Sequence, residues 1–337
     1  MKRFGNLFEK IISPDNLFAA YLDARRGKRK FRACHQFERR IGHHIADLHK
    51  RLSDGSYKPK APNSFYVYEP KKRLIEAPSF VDLVVQHAVY RIVMPIFDAT
   101  FLRNSFACRK GYGTHQAADY VQDRMRLQGA GVSLKIDCRK FFYSIDRSVL
   151  SGLIARKIKC KRTLGLMGLF NTRIDPKGVS IGNLLSQMYA LIYLNPVDHF
   201  VKRTLKARHY ARYVDDLVIF TDSQKQANGL FLKIREFLKS VLSLDISKFS
   251  IAPIARGINC FGFRTWRSKR FVRKRALYVA RRNLKRDNYE GFVSSLGHSK
   301  KTGSFKFLMR LAQEINNGIF IRLHQSFRPV HNVLPAS

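Results

Sequence analysis

Apolar positions along this chain alternate between helical and strand spacing. Residues 1–52 read as helical, with Leu17, Phe18, Tyr21 and Leu22 on one face. Gly55, Pro59, Pro62, Pro70 and Pro78 exclude long helices from 53–78, and 65–78 reads as two strands joined by a basic turn. Over 80–97 the apolar residues Leu83, Val84, Ala88, Ile92 and Val93 recur at helical spacing. His87 shares that face as a core residue, and Pro95 closes the regular part. A strand follows at 132–137, with Asp137 at its end on the face opposite Leu134 and Ile136. Ser144 or Asp146 then caps a helix, and Gly182 leads into an apolar helix over 188–194. The apolar run 217–220 reads as a buried strand, and Arg212 and Tyr213 end the strand before it. Asp215 and Asp216 therefore fall at the tip of a tight hairpin. Residues 224–242 read as a helix with Phe231, Ile234, Phe237 and Leu238 inward, and 304–325 as one last amphipathic helix. Between them a hairpin-like segment ends at Phe261-Gly262-Phe263.

Composition changes this picture in one respect. The 337 residues are 45% hydrophobic and 12% aromatic, as in a folded globular chain, but 63 Lys and Arg face 24 Asp and Glu. A formal charge of +39 is too extreme for an enzyme of small metabolites and points to a polyanion. The cations cluster. Residues 25–32 hold six of them without an acid, and 264–286 hold eleven, interleaved with Trp266, Phe271 and Tyr278. Aromatics among cations suit stacking and backbone tracking on nucleic acid, and Arg273, Lys274 and Arg275 are the densest run. No apolar run of membrane-spanning length and no signal peptide is evident. Five scattered Cys make a disulfide framework or zinc site an unattractive reading and favour a reducing cytoplasm.

Two adjacent carboxylates repel and are costly to desolvate unless a cation sits between them. Hard oxygen ligands in so basic a chain suggest Mg²⁺ working on phosphates. If the Asp137 strand neighbours the Asp215–Asp216 hairpin, three carboxylates could hold two metal ions. For Asp137 a helix cap or a surface ion pair stays open, and for the Asp pair an ordinary solvated turn. Lys71 and Arg73, in the basic turn, can reach a triphosphate entering from solvent, although cations at hairpin tips are also ordinary surface chemistry. Arg109, with Lys110, Gly111 and Gly113 before a helix, makes a nest for a phosphate backbone.

Asp137, then Tyr213-Val214-Asp215-Asp216, then Phe261-Gly262-Phe263, in that order, resembles the reverse transcriptases of bacteria and their phages. Within them the chain resembles the enzyme of diversity-generating retroelements. The distinguishing frame is Ile181-Gly182 followed by Ser186-Gln187. Group II intron and retroviral enzymes have Gln-Gly and then Ser-Pro at those places. The resemblance implies an α+β right hand with fingers, an antiparallel palm sheet and a helical thumb. It divides the chain into a basic helical extension (1–52), fingers (53–131), palm (132–265, with a fingers-type insertion about 157–187) and basic thumb (266–337).

The resemblance also assigns roles. Asp137 and Asp215 bind both Mg²⁺ ions and Asp216 completes the cluster. Lys71 and Arg73 grip the triphosphate, and Lys248, near the pyrophosphate, is a candidate general acid. Phe142 stands where an aromatic gate excludes a 2′-hydroxyl. Ile181, Gly182 and Gln187 border the incoming nucleotide, while Phe261-Gly262-Phe263 supports the primer end. The substrates are a template RNA and deoxynucleotides, and the product is cDNA. A small basic ring-forming accessory protein is the expected partner. Neither an RNase H nor an endonuclease part is expected. Within enzymes the alternative is a defence-associated or group II-derived reverse transcriptase; outside them it is a catalytically decayed RNA-binding scaffold, which the presence of all three carboxylates opposes.

Overall fold

The apolar run ahead of Asp222 becomes the central strand of a sheet, and most of the chain packs around it. The computed structural model describes residues 2–68, 71–171 and 177–326. Four helices come first: α1 (Phe8–Ile12), α2 (Pro14–Ala24), α3 (Arg32–Arg39) and α4 (Ile41–Ser53). The hairpin β1 (Asn63–Val67) and β2 (Arg73–Ala77) follows, then α5 (Phe80–Asp98), β3 (Ser105–Phe106) and α6 (Thr114–Gln128). Next come β4 (Val132–Cys138), α7 (Phe141–Ser144), α8 (Arg147–Ala155), α9 (Lys161–Leu169) and α10 (Leu184–His199). The hairpin β5 (His209–Tyr213) and β6 (Asp216–Thr221) leads to α11 (Gln224–Leu242) and β7 (Ile246–Pro253). Three short strands, β8 (Ile258–Cys260), β9 (Phe263–Thr265) and β10 (Arg270–Val272), precede α12 (Lys274–Lys285), α13 (Tyr289–Ser299), α14 (Ser304–Ile315) and α15 (Asn317–Ser326).

The main sheet has the order β3-β5-β6-β4-β7 and is antiparallel except at the two-residue edge strand β3. Strand alternation sorts its side chains into two cores. Leu134, Ile136, Tyr210, Leu217 and Ile219 join α5, α10 and α11 and the N-terminal helices in one large core. Ala211, Val218 and Phe220 face the other way, onto Val121 and Met125 of α6 and onto Ile258 and Phe261. Fully burying each large aliphatic residue stabilises by roughly 1.5–3 kcal/mol, so both faces resist a register slip. On that second face Ser133, Lys135 and Asp137 of β4 lie beside Ala252, Ser250 and Lys248 of β7. α6 and β8–β9 cover the β5–β6 half of this face. The β4–β7 half opens onto a cleft.

Several local expectations need correction. Leu17 and Tyr21 are buried, but Phe18 is exposed, because it lies to one side of the face that meets α5. Pro95 sits inside α5, near its end, where the loss of one backbone bond does not stop the helix. Asp146, not Ser144, caps α8, accepting from the amides of Ser148 and Val149. The short helix α7 was not foreseen. Residues 304–325 form two helices. Asn316 breaks them, and its side chain accepts from the Ile319 amide and donates to the Leu284 carbonyl and Asp287. The amphipathic period continues across that break, so the sequence reads as one helix. α5 is, contrary to expectation, long and apolar enough by length and composition to cross a bilayer. Here it is a core helix, with Val84, Val85, Ala88, Val89 and Val93 wholly buried. His87 is half-buried beside them, and burial holds its imidazole below the usual value.

Candidate active site

The β5–β6 hairpin closes through Val214 and Asp215, with Tyr213 paired to Asp216. Asp215 thus lies in the turn, and Asp216 is the first residue of the returning strand. Val214 has φ +53°, a left-handed conformation that a β-branched residue rarely adopts. The structure around it fixes that strain. Arg212 is wholly buried, and its guanidinium donates to both oxygens of the equally buried Asp198 on α10, at 2.7 and 2.5 Å. It also donates to the Val214 carbonyl (2.8 Å) and the Ser105 hydroxyl (2.7 Å). The Tyr210 hydroxyl gives Asp198 a third hydrogen bond of 2.6 Å. Asp198 and Tyr210 were missed by sequence reasoning. The available signal was an acid inside an apolar helix and an arginine inside an apolar strand, since neither stays buried without a partner.

Register brings the three carboxylates to one end of the sheet. Asp137 is opposite Asp216 on β6 and opposite Lys248 on β7. Asp137 accepts from the Ser247 hydroxyl at 2.6 Å. Burial raises the Asp215 carboxyl above its usual value, and Asp137 adds to the rise. Burial likewise pushes Asp216 up to about 6, against the opposing pull of Lys135, whose Nζ is 3.0 Å from Oδ2. The other Asp216 oxygen, Oδ1, is buried without a hydrogen-bond partner. Paired, desolvated carboxylates with an unused oxygen suit a divalent cation. Among the described residues no three His, Cys, Asp or Glu already converge as a full ligand set. Mg²⁺ takes its remaining ligands from water and phosphates, so two or three carboxylates suffice.

The cleft in front of this sheet end measures about 910 Å³. Lys71, Lys135, Asp137, Lys248, Gly262, Arg273 and Arg275 are among the residues that line it. Arg273 stands at the N-cap position of α12 without a capping hydrogen bond from its side chain, and Lys274 and Arg275 lie in the first turn. Cations at a helix N-terminus oppose the helix dipole, a cost that a phosphate bound there would reverse. Arg73 is exposed at the start of β2, close enough to Asp215 to act on its carboxyl. The Glu76 amide of β2 donates to the Ile181 carbonyl at 2.7 Å, and a side chain on Gly182 (φ +109°) would strike Ile75 at 2.8 Å. Ile181 is half-buried, and Gln187 is exposed on the first turn of α10. Phe142, on α7, is half-buried against the Phe141 ring, and its carbonyl accepts from Val179. Phe261 and Gly262 form the β8–β9 turn with φ +51° and +92°, and the Phe261 ring packs 5.5 Å from Tyr213.

One assignment fails. Arg109 is not placed to meet a nucleic-acid backbone. Its side chain is 5% exposed, with Nε held by Asp98 and Nη1 by the carbonyls of Leu102 and Ser105. It shapes the loop that carries β3.

The family described as reverse transcriptase (RNA-dependent DNA polymerase) matches residues 58–264, which contain every strand of the sheet and all three carboxylates. This chain belongs to the reverse transcriptase family. The group II intron-encoded protein LtrA of Lactococcus lactis subsp. cremoris is 29% identical over 169 residues, covering 47% of this reverse transcriptase and 28% of LtrA. The chain therefore spans well under half of that relative's length. Protein YkfC of Escherichia coli K12 is 23% identical over 312 residues, covering 76% of this chain and 79% of YkfC. Apo telomerase from Candida tropicalis shares the fold with a TM-score of 0.52 at 12% identity, over 85% of this chain and 63% of that one. The reverse transcriptase thus has the right-hand polymerase fold.

Proposed function

We propose that this protein copies an RNA template into cDNA and that it is the mutagenic polymerase of a diversity-generating retroelement. The observation that carries the first part is the register that sets Asp137 opposite Asp216, next to Asp215 in a strained, braced turn, beside a cation-lined cleft. Asp137 and Asp215 would hold two Mg²⁺ ions, and Asp216 completes the cluster. Bound there, the ions supply activation of the primer 3′-hydroxyl and stabilisation of the leaving pyrophosphate. The chain's own groups do the rest. Lys71 and Arg73 bind the triphosphate. Lys248, one strand from Asp137, supplies a proton to the departing pyrophosphate. Phe142 excludes a 2′-hydroxyl. Tyr213 and the turn at Phe261 and Gly262 support the primer end, while Arg273, Lys274 and Arg275 track the backbone. The same reading gives the enzyme a basic, ring-forming accessory protein as a partner.

Support for the mutagenic reading comes from Ile181. The segment 181–182 packs against β2, the strand that starts at Arg73. An isoleucine there offers contact area but no hydrogen bond to hold an incoming nucleotide square to its template. Mispairing then forfeits less, and discrimination falls. A second reading, a group II-derived enzyme without mutagenic function, is favoured by the similarity to LtrA. Deep sequencing of cDNA made by the purified protein on a defined RNA separates them. The mutagenic reading expects errors concentrated at template adenines, and Ile181→Gln to lower those errors more than others. Failure to extend any primer on RNA defeats the first part of the proposal. A flat error spectrum in an active enzyme favours the second reading.

A further inference from the structure

Lys135 stands two residues before Asp137 on the cleft face of β4. Its Nζ lies 3.0 Å from Asp216 Oδ2 and donates to the Asn259 carbonyl at 3.0 Å. Asn259 is the middle residue of β8, whose turn carries Phe261 and Gly262. One ammonium therefore links the carboxylate hairpin to the element proposed to support the primer end. Asp216 keeps its second oxygen, Oδ1, buried and unpartnered.

We propose that Lys135 is a positioning residue that reserves Asp216. It holds that carboxylate as an ion-pair partner, so the hairpin is set against β8 before any metal arrives, and it limits Asp216 as a metal ligand. The enzyme then trades metal affinity for a fixed geometry. The proposal rests on the reading of these carboxylates as the metal-holding group. It predicts an unusual pair of effects from one substitution. Removing the charge frees Asp216 and removes a cation beside the site, so divalent ions bind more tightly. Removing the link to Asn259 loosens the hairpin against the primer-side turn, so turnover falls. A merely structural lysine would weaken both.

The test is Mn²⁺ titration of the full chain, followed by electron paramagnetic resonance, for wild type, Lys135→Met and Lys135→Arg. It requires no polymerisation, so its outcome is separate from that of the proposed function. Lys135→Met is expected to tighten Mn²⁺ binding by about threefold to tenfold, the lost charge beside a divalent ion near solvent supplying the smaller share and the freed Asp216 carboxylate the larger. Single-nucleotide addition on RNA should meanwhile slow several-fold at saturating metal. Lys135→Arg should restore wild-type affinity. In an Asp216→Asn background the tightening should shrink by at least half, because the freed carboxylate is gone. Should Lys135→Met not fold, Lys135→Gln, which retains a donor but no charge, carries the same expectation. Unchanged or weaker Mn²⁺ binding in a folded, uncharged variant would overturn the proposal, as would equal tightening with Asp216→Asn.

Discussion

Two hairpins bring opposite charges to the cleft, and they are held in place by different means. The β5–β6 hairpin presents its acids from strands that are buried on both faces, with Arg212, Asp198 and Tyr210 sealed beneath it. The β1–β2 hairpin presents its cations, Lys71 just before β2 and Arg73 at the exposed start of β2, beside a β1 that is exposed along its whole length. Phe65, Tyr66 and Tyr68 are open to water there, and Lys72 lies over the Tyr66 ring at 4.4 Å. The contrast separates two tasks. Carboxylates that repel each other need a rigid frame to stay together without a cation. Cations that meet a large, mobile phosphate group need reach and exposure, and a frame would restrict them.

Breaking the frame should produce the largest effect. Asp198→Ala leaves the Arg212 guanidinium buried and unpaired, and such losses cost about 3–5 kcal/mol. Chemical denaturation checks this, and a loss below about 1 kcal/mol would mean that the network is dispensable. The exposed hairpin should behave in the opposite way. Replacing Lys71 and Arg73 together by Ala should change stability by no more than about 0.5 kcal/mol, as for most surface substitutions. The same change should raise the KM for deoxynucleotides at least about tenfold, the cost of about 1.4 kcal/mol of charge-assisted binding. If stability falls and KM holds, the two hairpins are not built for different tasks.

A smaller effect sits in the pH dependence of the metal-free protein. Burial raises the Asp216 carboxyl to about 6, above its unfolded value of 3.8. A carboxyl raised in the folded state stabilises fully below the unfolded value, and that contribution is lost as pH climbs through the folded one. Relative to Asp216→Asn, wild type should therefore lose at most about 3 kcal/mol between pH 4 and 6, and Mg²⁺ should erase the loss. Parallel stability curves for the two proteins would show that Asp216 ionises freely.

What the sequence made legible follows from how local the signal was. The alternation at 132–137 gave the face of Asp137 and the apolar run 217–220 the hairpin position of Asp215 and Asp216, because a pleat fixes the face of every side chain, while the pairing of the two strands came from the structure. Lys248 and Gly262 were likewise found, through the family order of motifs, and they line the same cleft. Long-range partners were not legible. Arg212 and Asp198 each signal that a partner is needed, but 14 residues apart on different elements neither says which. Nothing in the spacing shows that Lys135 answers Asp216 rather than water. Arg109 misled for a related reason. A cation in a glycine-rich loop looks the same whether it faces phosphate or, as here, three acceptors of its own chain. The break at Asn316 was hidden because hydrophobic period reports the buried face and not backbone continuity.

On the proposed reading, Asp137 and Asp215 are held together for metal-dependent chemistry and not for stability. The most direct measurement compares wild type with Asp215→Asn in two assays on one preparation, primer extension on RNA at saturating Mg²⁺ and denaturation in Mg²⁺-free buffer. Extension should vanish while stability stays equal or rises, because a buried repulsion has been removed. Near-normal extension by Asp215→Asn would contradict the claim, and so would a loss of extension that merely follows unfolding.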